Sequence, residues 1–320
     1  MVDLKIELPE SFLLEEERDG YKVSAEMKQL WAVQLDLLNE LDRVCKKHNL
    51  RYTLDFGTLL GAIRHKGFIP WDEDIDVSML REDFNKLQAV AADEFKHPYF
   101  FQTVDTDPGF EGGIARIRRS DTTFLQKEGV VYRTKHNHGI FIDIFVFDNA
   151  PSKEYDEVRK LHLECNSIYY HGLFTLAHPL ALRFGKTLPD RFMRYAYAKL
   201  KYGSVRKAYK RIEKLATGNP DSGYVCCLDT PIDTWIRPKK WFEEITYVPF
   251  ENMMCPVSTH YDEILTQRYG DYMTPKVVDS IYKLWMFDAS RPYSEVINEK
   301  GFYDRQLKEL GLDYNGNRIR

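Results

Sequence analysis

Several features that would place the chain in a specialised class are scarce or missing. No apolar stretch reaches the roughly 20 residues that a membrane-spanning helix needs, and the acidic start of the chain lacks the apolar segment of a signal peptide. Cysteine is sparse, with no C-x-x-C pair and no histidine spacing typical of zinc, and the five residues are Cys45, Cys165, Cys226, Cys227 and Cys255. This odd, scattered set predicts a reducing, cytoplasmic location.

The chain also has little excess charge. Its net charge of -4 provides no global basic field, so we expect no nucleic acid as an obligate partner. Internal repeats and low-complexity segments are not found. The hydrophobic fraction of 43% and the charged fraction of 29% are typical of a globular protein with one large domain or two smaller ones.

Two carboxylates alternate in the acidic run at residues 71–77. If this run is a strand, Asp74 and Asp76 point to one face while Ile75 and Val77 pack behind them. Mg²⁺ takes one or two such carboxylates and fills its other positions with water and substrate phosphate oxygens. The alternation therefore predicts metal-assisted phosphoryl transfer.

A glycine turn stands shortly before the acidic run. Residues 52–56 are predicted to form a strand, Gly57 a turn and Thr58 the start of a helix. Backbone N–H groups at such a helix N-terminus are suited to phosphate, so Gly57 and Thr58 are candidate substrate-binding residues.

The string at residues 55–81, DFGTLLGAIRHKGFIPWDEDIDVSMLR, resembles the signature of the LicD family. The likeness continues in residues 139–145 and, more loosely, in residues 116–123 and 268–275. In the wider polymerase-β-like superfamily the glycine turn lies nearer the acidic pair. The intervening segment at residues 64–71 is thus a LicD-type feature.

The resemblance implies an α/β (α+β) fold with a nucleotidyltransferase-like mixed sheet flanked by helices. It also implies an Mg²⁺-dependent phosphotransferase, with Mn²⁺ as an alternative ion. Such an enzyme moves phosphocholine, or a related phospho-alcohol, from a CDP-activated donor to a hydroxyl of a cell-surface glycan or its lipid-linked precursor, and CMP leaves. Fukutin-type ribitol-phosphate transferases belong to the same broad group. Two alternatives stay open: a nucleotidyltransferase that transfers NMP to a sugar phosphate or other acceptor, and a non-catalytic, membrane-associated binding protein.

The pattern of elements divides the chain into three parts. Alternating helices and strands predict a catalytic module at residues 1–150, which opens with an amphipathic helix at residues 24–49 whose apolar stripe serves core packing. Helical periodicity and Lys/Arg dominate residues 151–217. Residues 218–320 form a mixed segment that is predicted to complete the LicD-type domain.

A third carboxylate, Asp143, lies in an apolar strand predicted at residues 139–147. An unpaired charge there would be costly, so the position predicts a positive partner, either a metal ion shared with Asp74 and Asp76 or an arginine. We expect Asp143 to accept the proton of the acceptor hydroxyl, with Asp72 as the second choice. Asp55 is predicted to cap a turn or to support the site indirectly.

Several basic residues could hold the diphosphate of a donor, because phosphoryl transfer depends on cations that absorb charge. Arg64 and Lys66 follow the glycine turn, and Arg116 and Arg118 share one face of a predicted strand. These four are the predicted phosphate contacts. Arg119 is predicted to be a solvated charge, and the histidines before the Asp143 strand, His136 and His138, are predicted to be structural or exposed.

Residues 183–214 combine eleven Lys/Arg residues with interleaved aromatics and only two acidic residues. This composition suits peripheral contact with the anionic inner face of the membrane, where a lipid-linked glycan would lie. A solvated helical face packed on the catalytic module and a groove for a phosphate-rich polymer are the alternatives. Further along, Trp235, Trp241 and residues 269–275 are candidates for a pocket that binds the donor headgroup.

Overall fold

The computed structural model describes residues 1–179, 187–228, 236–275 and 286–312. The helices in these ranges are α1 Ala25–His48, α2 Phe56–His65, α3 Arg81–Glu94, α4 Lys127–Tyr132, α5 Tyr155–Ile168, α6 Thr175–Ala177, α7 Leu188–Tyr202, α8 Val205–Thr217, α9 Tyr261–Tyr269, α10 Tyr293–Val296 and α11 Phe302–Glu309. The strands are β1 Glu16–Arg18, β2 Tyr21–Val23, β3 Thr53–Leu54, β4 Asp76–Leu80, β5 Tyr99–Gln102, β6 Ala115–Arg119, β7 Thr123–Leu125, β8 Ile140–Asn149, β9 Tyr224–Cys226, β10 Arg237–Pro238, β11 Ile245–Phe250, β12 Met253–Ser258 and β13 Met286–Asp288.

The fold is a mixed sheet flanked by helices, and β8 is its central strand. β8 pairs in parallel with β4 and antiparallel with β6 and β9, while β3, β5 and β10 extend the sheet outward. Nine of the ten residues of β8 are buried, as expected for a run of Ile, Val and Phe covered on both faces. The α/β class predicted from the alternating pattern is confirmed.

Helix α1 covers one face of this sheet. It begins at Ser24, whose side chain accepts a hydrogen bond from the N–H of Met27, and it ends at Asn49, which adopts the left-handed conformation with φ of 52°. Its apolar stripe, including Leu30, Leu37 and Leu41, is completely buried. The predicted core role of this helix is therefore confirmed.

The last third of the chain contributes to the same structure. Strands β9 and β10 belong to the central sheet, and β13 pairs with β7. The β11–β12 hairpin buries Phe250, Cys255 and Val257 in the core cluster that also contains α1. The sheet that carries the acidic residues is thus assembled from both halves of the chain.

The basic segment is helical where the structure describes it. A π-helical turn, Tyr169–Phe174, continues α5, and α5 packs with α7 and α8 around a second apolar core that includes Cys165, Ala198 and Ile212. Three residues of the basic, aromatic run, Arg183, Phe184 and Lys186, lie outside the described residues. Across the described part of the chain, every helix is too short or too polar to cross a membrane.

Candidate active site

The pairing of three strands brings three charged side chains into one row. Asp76 on β4 is the parallel partner of Asp143 on β8, and Arg116 on β6 is its antiparallel partner. Residues that are directly paired project from the same face of a sheet, so the three side chains are neighbours. Arg116 Nε donates a hydrogen bond to Asp143 Oδ1 at 2.7 Å. The arginine partner considered for Asp143 is present, with Asp76 beside it.

The acidic run is a strand only from Asp76 onward. The prediction of a strand across residues 71–77 is wrong for its first part, because residues 72–75 are irregular. Helix α1 fixes this irregular part: Trp31 Nε1 donates to the carbonyl of Asp72 at 2.9 Å, and Gln34 Nε2 donates to the carbonyl of Glu73 at 2.8 Å. The helix therefore positions the acidic run as well as packing the core.

The start of α2 is tied to the acidic run. The helix begins at Phe56 and not at Thr58, so Gly57 lies in its first turn rather than in a separate turn as predicted. A Cβ atom at position 57 would stand 2.7 Å from Asp72 Oδ2, so glycine is what allows this carboxylate to approach the helix. The Thr58 hydroxyl is buried and accepts a hydrogen bond from the N–H of Asp76 at 2.8 Å. These contacts make both residues part of the frame that holds the carboxylates.

The carboxylates in this region repel one another. Partial burial, followed by the charges of Asp76, Asp72 and Asp143, raises the pKa of Asp74 well above its usual value. Burial, followed by Asp143, Asp72 and Asp55, does the same to the pKa of Asp76. Burial also raises the pKa of Asp72 to about 6, although a hydrogen bond with Asp74 opposes the rise. Keeping all of them ionised requires a compensating cation.

The chemistry of this donor set fits a hard divalent cation. Carboxylate oxygens are the ligands that Mg²⁺ prefers, and a bound cation would relieve the mutual repulsion of Asp74, Asp76 and Asp143. Within the ranges that the structure describes, however, no three carboxylate, imidazole or thiol side chains already converge in the arrangement of a metal site. The three aspartates therefore stay predicted ligands.

The three neighbouring arginines on β6 have different surroundings. Arg116 faces Asp143, and its guanidinium also lies 4.1 Å from the centre of the Phe141 ring. Arg118 is fully buried, where it donates to Gln102 Oε1 and to the carbonyl of Gly139. Its role as a phosphate contact stays a prediction. The prediction that Arg119 is solvated is wrong, because it is buried and donates to Asp36.

The two basic residues at the end of α2 make contacts away from the row formed by Asp76, Asp143 and Arg116. Arg64 Nη1 donates to the carbonyl of Tyr272 at 2.8 Å, and Lys66 is the exposed, left-handed residue that ends the helix. Arg268 on α9 lies closer to the carboxylates, since its charge lowers the pKa of Asp76 and its guanidinium is 4.7 Å from the Phe56 ring centre. The family-like run at residues 268–275 was a signal for this arginine.

A buried ion pair that the sequence gave no reason to expect anchors the start of α2. Arg237 on β10 donates to both carboxylate oxygens of Asp55 at 2.6 and 3.0 Å, and both side chains are almost completely buried. Ser78 Oγ donates to the same carboxylate at 2.5 Å. Asp55 also caps α2 by accepting the N–H of Phe56 at 2.7 Å, which confirms its predicted capping role.

The aromatic residues proposed for a headgroup pocket make contacts within the protein where the structure describes them. Trp241 stacks on His260, with ring centres 5.3 Å apart, and Trp235 is outside the described residues. In the run at residues 269–275, Tyr269 and Tyr272 are partly buried against the main core. Their role in binding a headgroup stays a prediction.

A pair of buried histidines lies near the row of charges. His136 and His138 have ring centres 4.1 Å apart, and both are buried. Their burial agrees with the predicted structural role and not with the predicted exposure. Burial, followed by the charge of the partner histidine, lowers the pKa of His136 to about 3. Burial and the charge of Arg118 lower the pKa of His138 to about 3 as well.

We expect this pair to make the protein sensitive to acid. The folded pKa of each histidine lies below its unfolded value of roughly 6.5, so the stabilisation is complete above that pH and is lost as the pH falls towards 3. The slope is at most about 1.4 kcal/mol per pH unit for each histidine. Urea unfolding at pH 7.5 and 5.0 should therefore show a smaller acid loss for His138→Gln than for the wild type. Equal losses of unfolding free energy in His138→Gln and the wild type between these two pH values would contradict this prediction.

A family model matches part of the chain. Residues 49–176 match the model described as LicD/FKTN/FKRP, nucleotidyltransferase domain. This part of the chain is therefore similar to the LicD/FKTN/FKRP family. The matched range contains Asp55, the acidic run, Arg116 and Asp143, so the described row of charges lies inside the family domain.

Curated relatives extend the similarity. The chain is 29% identical over 267 residues to the lipopolysaccharide cholinephosphotransferase LicD of Haemophilus influenzae, which covers 77% of this chain and 91% of that protein. It is 30% identical over 82 residues to the human ribitol 5-phosphate transferase FKRP, covering 26% of this chain and 17% of that protein. An uncharacterised protein of Rickettsia prowazekii is 37% identical over 78 residues, which cover 24% of this chain and 28% of that protein. These similarities support a phosphotransferase.

Proposed function

We propose that the chain is an Mg²⁺-dependent phosphotransferase that moves phosphocholine, or a related phospho-alcohol, from a CDP-activated donor to a hydroxyl of a cell-surface glycan or its lipid-linked precursor. The row formed by Asp76, Asp143 and Arg116 carries this proposal, since the strand register places the three side chains together. The relatives that act with choline phosphate and ribitol phosphate support the choice of a phospho-alcohol.

In this reaction the acceptor oxygen forms a bond to the headgroup phosphorus, the bond from that phosphorus to CMP breaks, and the hydroxyl proton passes to a carboxylate. Asp143 is our candidate for the proton acceptor, and the hydrogen bond from Arg116 to its Oδ1 fixes its orientation. Asp74 and Asp76, together with Asp143, would hold Mg²⁺. The ion would offset the negative charge that develops on the diphosphate.

The proposal is tested by product analysis. The purified protein is incubated with Mg²⁺, an acceptor glycan extract and CDP-choline, CDP-ethanolamine, CDP-ribitol or CDP-glycerol, and CMP is measured by mass spectrometry. Acceptor-dependent CMP release from one donor is the expected result. Pyrophosphate release from a nucleoside triphosphate, with no CMP from any of the four donors, would replace the proposal with NMP transfer.

A lipid-linked acceptor would be reached through α7. Five large apolar side chains of this helix are exposed, at 68% for Leu188, 72% for Phe192, 61% for Met193, 57% for Tyr197 and 90% for Leu200. Exposed basic residues accompany them at Arg194, Lys199 and Lys201. An apolar face flanked by cations is typical of a helix that lies in the interface of an anionic membrane, and we include such contact in the proposal.

Vesicle sedimentation tests this contact. We expect the wild type to bind vesicles that contain anionic phospholipid, and the double variant Phe192→Ser/Leu200→Ser to bind at least on the order of 100-fold more weakly, because each buried side chain contributes about 1.5–3 kcal/mol. Leu163→Ser on α5, where the leucine is 51% exposed, is the matched control and should bind like the wild type. Equal binding of the vesicles by all three proteins would contradict the proposed membrane contact through α7.

A further inference from the structure

A cavity adjoins the row of charges on the side of Arg116. It has a volume of about 280 Å³, and Arg116 forms part of its wall. Aromatic rings from two separate parts of the chain line it: Phe110 from the loop before β6, and Tyr169, Tyr170 and Phe174 from the π-helical turn. The rings of Tyr169 and Tyr170 meet edge to face, with centres 5.2 Å apart. The cavity is therefore a small aromatic chamber next to the proposed site of phosphoryl transfer.

One carboxylate in this chamber is incompletely paired. Glu111 Oε1 lies 2.7 Å from His178 Nε2, whereas Glu111 Oε2 is buried and accepts no hydrogen bond from the residues that the structure describes. Burial opposes ionisation of Glu111, but the hydrogen bond and charge of His178 outweigh it and lower the pKa of this carboxyl. A buried, ionised oxygen without a partner is costly unless a ligand compensates its charge.

Charges of both signs line the cavity. Arg116, which bonds to Asp143, provides a positive charge. Glu111 and the tyrosine rings provide a negative charge and π-faces in the cavity wall. A molecule that carries both a phosphate and an alkylammonium group matches these charges, since aromatic faces and carboxylates both attract organic cations. A neutral polyol would offer no positive charge to Oε2 of Glu111.

We propose that this cavity binds the alkylammonium headgroup of the donor, with Glu111 as its counter-charge and Phe110, Tyr169 and Tyr170 as its aromatic walls. The assignment rests on the phosphotransferase function proposed above and selects choline-type headgroups over ribitol and glycerol within it. It also moves the headgroup pocket away from Trp241 and residues 269–275.

The test measures binding without turnover. Titration calorimetry without divalent cation compares phosphocholine, phosphoethanolamine and glycerol 3-phosphate, which share a phosphate and differ in the cation. We expect phosphocholine to bind at least roughly tenfold more tightly than glycerol 3-phosphate. Glu111→Gln and Tyr170→Leu should each weaken phosphocholine binding by roughly tenfold and leave glycerol 3-phosphate binding unchanged. Tighter binding of phosphoethanolamine than of phosphocholine would overturn the proposed selection of choline-type headgroups.

Matched variants separate binding from folding. Tyr170→Phe keeps the ring and should bind phosphocholine like the wild type. Comparing Tyr170→Phe with Tyr170→Leu therefore tests the aromatic wall even if Glu111→Gln does not fold. Glu164→Gln, at an exposed carboxylate on α5, is the charge control. Phosphocholine binding that is unchanged in both Glu111→Gln and Tyr170→Leu would overturn the proposed pocket.

The same titration separates this proposal from the function on which it rests. Asp76→Asn should bind phosphocholine normally while releasing no CMP. Normal phosphocholine binding by a wild-type protein that turns over none of the CDP-alcohols would contradict the proposed phosphotransferase function and support the proposed pocket. CMP release from CDP-ribitol alone, without phosphocholine binding, would leave the function standing and overturn the pocket.

Discussion

Asp76→Asn should reduce CMP release by roughly 1,000-fold or more, because it removes a charge from the point where the donor diphosphate and its cation would meet. The fold should persist, since the N–H of Asp76 that donates to Thr58 belongs to the backbone. The loss of repulsion among Asp74, Asp76 and Asp143 should make the cation-free variant at least as stable as the wild type at neutral pH. Mass spectrometry of CMP and urea unfolding measure the two effects.

The control for this variant is Asp93→Asn. Asp93 is an exposed carboxylate on α3 whose side chain is 93% exposed, so its loss should change neither turnover nor stability appreciably. Normal turnover by Asp76→Asn would contradict the role proposed for Asp76 in the reaction. A large loss of stability in Asp76→Asn would show that Asp76 supports the fold, and the loss of turnover could then not be assigned to chemistry.

Arg237→Met should destabilise the protein by about 3–5 kcal/mol, because it leaves the Asp55 carboxylate buried without its cation. Arg237 and Asp55 are 3% and 1% exposed, so water cannot replace the lost ion pair without local opening. The chemical denaturation midpoint should fall accordingly. Turnover should fall as well, since Asp55 caps α2 directly beside Asp76.

Two further variants identify the cause. The double variant Asp55→Asn/Arg237→Met removes both charges and should recover part of the lost stability, because a neutral amide costs less to bury than an unpaired carboxylate. Lys239→Met, two residues after Arg237, breaks an ion pair with Asp221, but this pair is more exposed and should contribute little to stability. A loss in Arg237→Met no larger than that in Lys239→Met would contradict the role of the buried pair.

The parts of the site that could be predicted are those encoded locally. Asp76 and Asp143 stand out as charges among apolar neighbours in the sequences of β4 and β8, and the family-like string gives the order of the elements around them. The irregular path of residues 72–75 escaped prediction, because it depends on hydrogen bonds from Trp31 and Gln34 on a distant helix. The periodicity of a segment indicates its own secondary structure and not the hydrogen bonds that it receives from distant residues.

The partners of buried charges were the least predictable part. Arg119 resembles the other arginines of β6 in sequence, yet its partner Asp36 is 83 residues away. Arg237 is 182 residues from Asp55. The aromatic chamber likewise joins Glu111, in a loop without periodicity, to rings nearly 60 residues further along the chain. Such pairings are set by strand register and helix packing, which no local pattern contains.

The ion pair between Asp55 and Arg237 bears on how the protein is made. During synthesis, residues 53–149, which include β3, β4 and β8, leave the ribosome long before Arg237 does. Until then Asp55 has no cation to accompany it into the interior, and the edge of β8 that receives β9 is uncovered. The acidic row therefore reaches its final form late in translation, and a nascent chain that stops short of β10 has the family signature without a completed site.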